Sequence, residues 1–316
     1  MQHKIIIDTD PGIDDAMAIH MAFADQRIDV IGLTSIFGNV TTHKATRNAL
    51  RLAEMAHYKT IVAPGELVPL IRAPEPPADF VHGAEGFGTI PAATPKGVAD
   101  TRSAAQFLCE SCAAAPGEIT ICAVGPLTNL ARALQLDPNI VRNVKSVVIM
   151  GGSYAYHGNV SDCAEANIWN DPDAADLVFA ANWDLKMIGL DVTERTQCTP
   201  DDFAFLASES PYIGGFLNEA VKFYFDFHQR KTGVRSCFMH DPSAILAITN
   251  AHLFGFEVVP IEVICKGAEI GRTKLFKGQG RRSIKVAISV DHVAAREKFL
   301  GLVANADSIF EMRKAG

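Results

Sequence analysis

Nowhere in these 316 residues does an apolar run reach the roughly 20 residues that cross a membrane. Positive charge is in deficit, 29 Lys and Arg against 36 Asp and Glu, and the net charge of -7 argues against a nucleic acid or an anionic membrane as partner. Cysteine is sparse and scattered, at positions 109, 112, 122, 163, 198, 237 and 265. An odd number of cysteines without secretory context reads as reduced thiols, which excludes a disulfide framework. Cys109 and Cys112 form a C-x-x-C, but "SAAQFLCESCAAA" has the look of a helix and no second pair completes a zinc site. The pair therefore reads as core packing. Internal repeats, low-complexity tracts and linkers are also missing, so a single domain over residues 1–316 is the expectation. The chain enters its first expected strand by Lys4, which leaves no room for a signal peptide, and a cytoplasmic location follows as the default.

What the chain does contain is an alternation. Residues 4–7, 29–37, 118–124, 145–150 and 185–190 read as buried strands. Between them lie helical patterns such as "THKATRNALRLAEMA", which puts Ala45, Ala49, Leu52, Ala53 and Ala56 on one face. Near-continuous apolar strands separated by helices predict an α/β fold, an open and mostly parallel sheet covered on both sides. Two stretches interrupt the pattern. Residues 64–98 are rich in Pro and Gly, as binding loops and lids often are. The second, "KFYFDFHQRKTGVRSCFMHDPSA", starts aromatic and ends in His240-Asp241. Its Phe223, Tyr224, Phe227, His228 and Thr232 fall at helical spacing, which favours core over ligand contact. The basic stretch 271–283 reads as a solvated hairpin.

The chemistry is concentrated in "KIIIDTDPGIDDAMAI", residues 4 to 19. In open α/β sheets ligands bind beyond the carboxyl ends of the strands, and the first strand runs out where Asp8 and Asp10 stand. Asp14 and Asp15 begin the next helix, where acidic side chains suit the helix dipole. That accounts for two carboxylates at most. Four within eight residues repel one another at low dielectric, and a bound divalent cation removes the difficulty. The donors are all hard oxygens and the EF-hand spacing is absent, so the expected ion is Ca²⁺ or Mg²⁺ in another kind of oxygen site.

"DTDPGIDDA" after an N-terminal apolar strand resembles the signature of the nucleoside hydrolases, the inosine-uridine-preferring N-ribohydrolases. "GNVT" at 38–41, "VHGAEGFG" at 81–88, "GPLTNLA" at 125–131, "MGG" at 150–152, "AEANIWNDPDAA" at 164–175 and "MHDPSA" at 239–244 match in order. The resemblance implies Ca²⁺ at the C-terminal edge of the sheet, held by Asp10, Asp15, the main-chain carbonyl of Thr128, and Asp241. Asp8 and Asp14 would lie beside the ion, Asp14 turned toward ribose. Ribonucleosides, inosine and uridine among them, would be the substrates, and a homodimer or homotetramer the assembly.

A ribosyl C–N bond breaks through an oxocarbenium-like transition state and needs a sugar clamp, a poised water and help for the departing base. Asp10 is the candidate base. Glu165 and Asn167, two apart on an extended segment, would point the same way onto the ribose hydroxyls. Asn39 and Asn159 complete the clamp by resemblance. His240 takes the place of the leaving-group acid and His82 lies near the base. His3, His20, His43, His57 and His292 read as surface or packing residues. A strand followed by D-x-D also opens the haloacid-dehalogenase phosphatases, but that chemistry wants a phosphate-binding Lys and a later acidic pair that find no place here. A non-catalytic nucleoside sensor would have lost part of the apparatus, yet every element of it is present.

Overall fold

Ile5, Ile6 and Ile7 are completely buried, Ile5 and Ile7 in one hydrophobic core and Ile6 in another. Side chains alternate across a strand, so a run that is apolar at every position belongs to a sheet covered on both faces. The computed structural model, which describes residues 2–315, has that architecture. In chain order the strands are β1 (His3–Thr9), β2 (Ile28–Ser35), β3 (Ile61–Pro64), β4 (Ile119–Ala123), β5 (Ser146–Met150), β6 (Leu185–Ile188), β7 (Gln197–Cys198), β8 (Cys237–Phe238), β9 (Phe254–Val263), β10 (Thr273–Leu275) and β11 (Ser283–Val290). Among the described residues, nine strands form one sheet in the order β10-β9-β11-β6-β5-β4-β1-β2-β3, and β7 pairs with β8 in a separate ribbon. From β3 to β11 every neighbouring pair is parallel, and β9 runs antiparallel to both β11 and β10.

The strand order fixes where a ligand can sit. From β1 the chain moves outward to β2 and β3, whereas β4, β5 and β6 extend the sheet in the other direction. The crevice between the ends of β1 and β4 is thus the switch point of the sheet, the place where open α/β folds bind their ligands. The helix Ile13–Ala24 leaves β1 there and is buried along its whole length. It packs against helices Ile213–Thr232, His240–Thr249 and His292–Ala304, which explains why it has no polar face. The helix Thr42–Met55 buries Ala45, Ala49, Leu52 and Ala53, as its periodicity predicts.

The predicted strands all form, within two residues at most ends. The C-terminal part differs from expectation in one respect. Residues 271–283 are not a hairpin, because β10 and β11 lie on opposite sides of β9 and the chain crosses over that strand between them. Cys109 and Cys112 are buried in the helix Ala104–Ala114, and burial pushes their thiols up to about 11 and about 12, consistent with packing. Among the described residues no helix is long and apolar enough to cross a membrane.

Candidate active site

Asp15 sits in the first turn of the helix Ile13–Ala24 and is held from three sides. Its Oδ2 accepts from the Gly12 N–H at 2.9 Å and from Asn39 Nδ2 at 3.0 Å, and its Oδ1 accepts from the Thr9 hydroxyl. Asp10, just beyond β1, accepts from the Asn39 N–H at 2.6 Å through Oδ2, while its Oδ1 is buried without a partner. Glycine makes the room: a Cβ on Gly125, after β4, would stand 2.7 Å from Asp10 Oδ1. Asp241 arrives from late in the chain, in the first turn of the helix His240–Thr249. Asp14, Asp15 and Asp241 each bring a carboxylate oxygen within 4.8 Å of the others.

All four carboxylates are buried. Burial raises every one of their pKa values, and neighbouring carboxylates add to the rise at Asp10, Asp14 and Asp241, with Asp14 reaching about 8. Asp14 Oδ1, like Asp10 Oδ1, lacks a partner. An all-oxygen donor set with orphaned buried atoms fits a hard divalent cation.

Above this cluster opens a cavity of about 660 Å³. Asp14, Asn39, Asn159, Glu165, Asn167 and Asp241 line it together with His82, His228 and His240. The Pro/Gly-rich segment contributes Ala78, Phe80, Val81 and His82 to its wall. Burial lowers all three histidines, to about 3 for His82 and His240 and about 4 for His228, so they are neutral at pH 7. His82 Nδ1 accepts from the Ile13 N–H at 3.2 Å, and His240 Nδ1 lies 2.8 Å from Thr193 Oγ1.

Residues 5–297 match the family model described as inosine-uridine preferring nucleoside hydrolase. The chain belongs to this family. It is 41% identical over 279 residues to uridine nucleosidase 1 of Arabidopsis thaliana, 88% of this chain and 83% of that one. It is 34% identical over 313 residues to the inosine-uridine preferring nucleoside hydrolase of Crithidia fasciculata, 97% of this chain and 98% of the other. Among solved structures, a plant nucleoside hydrolase superposes with a TM-score of 0.92 at 36% identity, covering 97% of this chain and 99% of its own. A purine-preferring ribonucleoside hydrolase from Gardnerella vaginalis gives 0.93 at 29%, with the same coverage. The protein is thus a nucleoside hydrolase, an enzyme acting on N-glycosyl bonds.

The geometry of this nucleoside hydrolase departs from the sequence reading at four points. Asp8 is not beside the cluster: it shares the Ile6 face of β1, where its Oδ1 accepts from Thr34 and, at 2.7 Å, from Asn129 Nδ2. Thr128 opens the helix Thr128–Leu136, whose carbonyls point along the axis away from its start, and its hydroxyl donates to Asp171 at 2.7 Å. Thr128 is not among the residues lining the cavity, whereas Val124 is, and the Val124 carbonyl accepts from Asn167 Nδ2 at 3.0 Å. Glu165 and Asn167 are not on an extended segment. Glu165 caps the helix Ala166–Asn170, its carboxylate accepting from the N–H groups of Asn167, Ile168 and, at 3.0 Å, Gly152. Burial nevertheless pushes it up to about 7.

The fourth departure concerns the aromatic segment. Tyr224, Phe227, His228 and Thr232 line the cavity, and of the group only Phe223 does not, packing half-buried against the core. His228 stacks edge-on to Tyr224 and Phe238 at 4.4 and 4.8 Å, with both ring nitrogens unpartnered. Thr193, Glu194, Tyr156, His157 and Lys231 were not foreseen. Thr193 ends the four-residue helix Leu190–Thr193 after β6, too short for periodicity to reveal, Glu194 is its C-cap, and the loop carrying Tyr156 and His157 has no regular structure.

Proposed function

We propose that this hydrolase cleaves the N-glycosidic bond of ribonucleosides to free base and ribose with Ca²⁺ as its cofactor. The observation that supports this most is the set of four buried carboxylates, two with orphaned oxygens, opening into a cavity walled by neutral imidazoles. Asp10, Asp15, Asp241 and the Val124 carbonyl would hold the ion, with Val124 replacing Thr128 in that role. Bound there, calcium would offset the anionic charge and template both the ribose diol and a water.

The chain's own residues do the rest. Asp10 is fixed through Oδ2 by the Asn39 N–H, so its unpartnered Oδ1 is the atom that takes the proton of the attacking water. Asp14, Asn39, Asn159, Glu165 and Asn167 orient the sugar. Asn167 spends its Nδ2 on the Val124 and Met150 carbonyls, which leaves its Oδ1 as an acceptor. With Thr193 Oγ1 2.8 Å from His240 Nδ1, the tautomer in which that hydroxyl donates carries the ring proton on Nε2, and this neutral form is the donor to the departing base. His82, neutral and held by Ile13, stands by the same cavity.

Salvage of nucleosides in the cytoplasm by a homodimer or homotetramer completes the proposal. A reducing-sugar assay on inosine, adenosine, guanosine, uridine and cytidine, with and without chelator, tests it. Release of ribose that stops with chelator and returns with Ca²⁺ is the expected result. Activity indifferent to chelation would overturn the calcium assignment, and no ribose from any nucleoside would overturn the whole.

A further inference from the structure

The Pro/Gly-rich segment reaches the cavity through Ala78, Phe80, Val81 and His82, but its earlier part docks elsewhere. The Leu70 N–H donates to Asp171 Oδ2 at 2.8 Å, and Arg72 Nη1 donates to the Trp169 carbonyl at 2.5 Å. The Arg72 guanidinium also lies over the Trp169 ring, 4.8 Å from its centre, and its other terminal nitrogen pairs with Glu75. Arg72 itself is not among the residues that line the cavity. Trp169 belongs to the helix Ala166–Asn170, which Glu165 caps and which contains Asn167.

A helix of five residues is too short to hold its own shape, so its contacts decide where its side chains stand. Its start is fixed by the Glu165 carboxylate, which accepts from the Asn167 and Ile168 N–H groups. On one flank Gly271 packs so closely that a Cβ there would stand 3.1 Å from Trp169 Cα. The carbonyls of the last turn find no partner within a helix, and Arg72 takes one of them. Resting on the proposed grip of Glu165 and Asn167 on ribose, we propose that Arg72 is a positioning residue for that grip. Through Trp169 it fixes the helix from which both side chains reach the sugar. A guanidinium can stack on an indole and donate in its own plane at once, which an ammonium cannot. Pro74, Pro76 and Pro77 restrict the chain just beyond Arg72, which lowers the entropy lost in holding it there.

The test measures the competitive Ki of 1,4-anhydro-D-ribitol, the ribofuranose ring without a base, against uridine hydrolysis by the full-length protein. Wild type, Arg72→Met, Arg72→Lys, Asn167→Ala and the double variant Arg72→Met/Asn167→Ala are compared. A Ki does not depend on how much of a preparation is folded, so a purely structural role for Arg72 would leave it unmoved. Arg72→Met should raise Ki about tenfold, the scale of one charged hydrogen bond, with Arg72→Lys between it and wild type. On the Asn167→Ala background the same change should add less than about twofold, because the grip it serves is already broken. Arg72→Lys keeps the comparison decisive should Arg72→Met fail to fold. A wild-type Ki in both single variants would overturn this assignment alone, as would a full tenfold rise that persists on the Asn167→Ala background. A wild type that hydrolyses no nucleoside would remove it together with the reading beneath it.

Discussion

Thr193 Oγ1 lies 2.8 Å from His240 Nδ1, so in the proposed mechanism Nε2 is the imidazole nitrogen left to face the leaving group. Removing the hydroxyl in Thr193→Val frees the ring to take either tautomer. The loss in kcat for uridine should be about tenfold with KM little changed, smaller than the roughly 10²–10⁴ expected for His240→Ala. 4-Nitrophenyl riboside, whose leaving group needs no donor, should suffer much less from either change. Equal losses on both substrates would mean that His240 does not assist departure.

Gly125 predicts a defect by proximity. A methyl group there would come within 2.7 Å of Asp10 Oδ1, the atom proposed to take the proton, and the carboxylate must turn aside. Misplacement on that scale costs about a hundredfold in rate, so Gly125→Ala should show such a fall in kcat and weaker Ca²⁺ binding by calorimetry. Wild-type values for both would remove Asp10 from its role.

Cation removal should have a pH signature. The carboxyls of Asp14 and Glu165 sit at about 8 and about 7, raised by burial above the ~4 of an unfolded chain. Raised groups contribute stability that is fully present below ~4 and lost as pH rises through about 8. Chelated protein should therefore melt lower at pH 8 than at pH 5, and Ca²⁺ should restore more at pH 8. A hundredfold excess of Ca²⁺ over its Kd would stabilise by ~2.7 kcal/mol, several degrees in Tm. Melts with EGTA and with CaCl₂ at both pH values check this; a calcium effect larger at pH 5 would refute it.

The central strands and the acidic turn were legible because each carries a local pattern: continuous apolar residues between helices, and carboxylates at a strand's end. Asp10, Asp14, Asp15 and Asp241 come together as that pattern and the family resemblance imply. Direction was harder to read than membership. Asp8 and Asp10 share one motif, yet β1 ends between them, and only Asp10 reaches the cluster. Thr128 lies three residues past Gly125 in "GPLTNLA", but the helix has already begun and its carbonyl is committed to the helix. Nothing local marks Thr193 or Glu194, because their place depends on the β7–β8 ribbon, two residues to a strand, that docks His240 beside them.

His20 supplies a prediction far from the chemistry. It is fully buried on the helix that carries Asp14 and Asp15, ringed by Phe23, Phe216 and Phe310 at 6.5, 6.1 and 6.2 Å, and neither ring nitrogen has a partner. Burial drops its pKa to about 3, with Asp307 opposing only weakly. A depressed histidine contributes stability that is present above ~6.5 and lost as pH falls toward about 3, because only the unfolded chain takes the proton. His20→Leu abolishes that proton linkage and relieves two unpaired polar atoms. Between pH 6.5 and pH 5 the linkage amounts to roughly 2 kcal/mol, or about 4 °C. The variant should therefore melt above wild type at pH 5 and by a smaller margin at pH 8. A gap of the same size at both pH values would show that His20 is not the buried neutral base its surroundings make it.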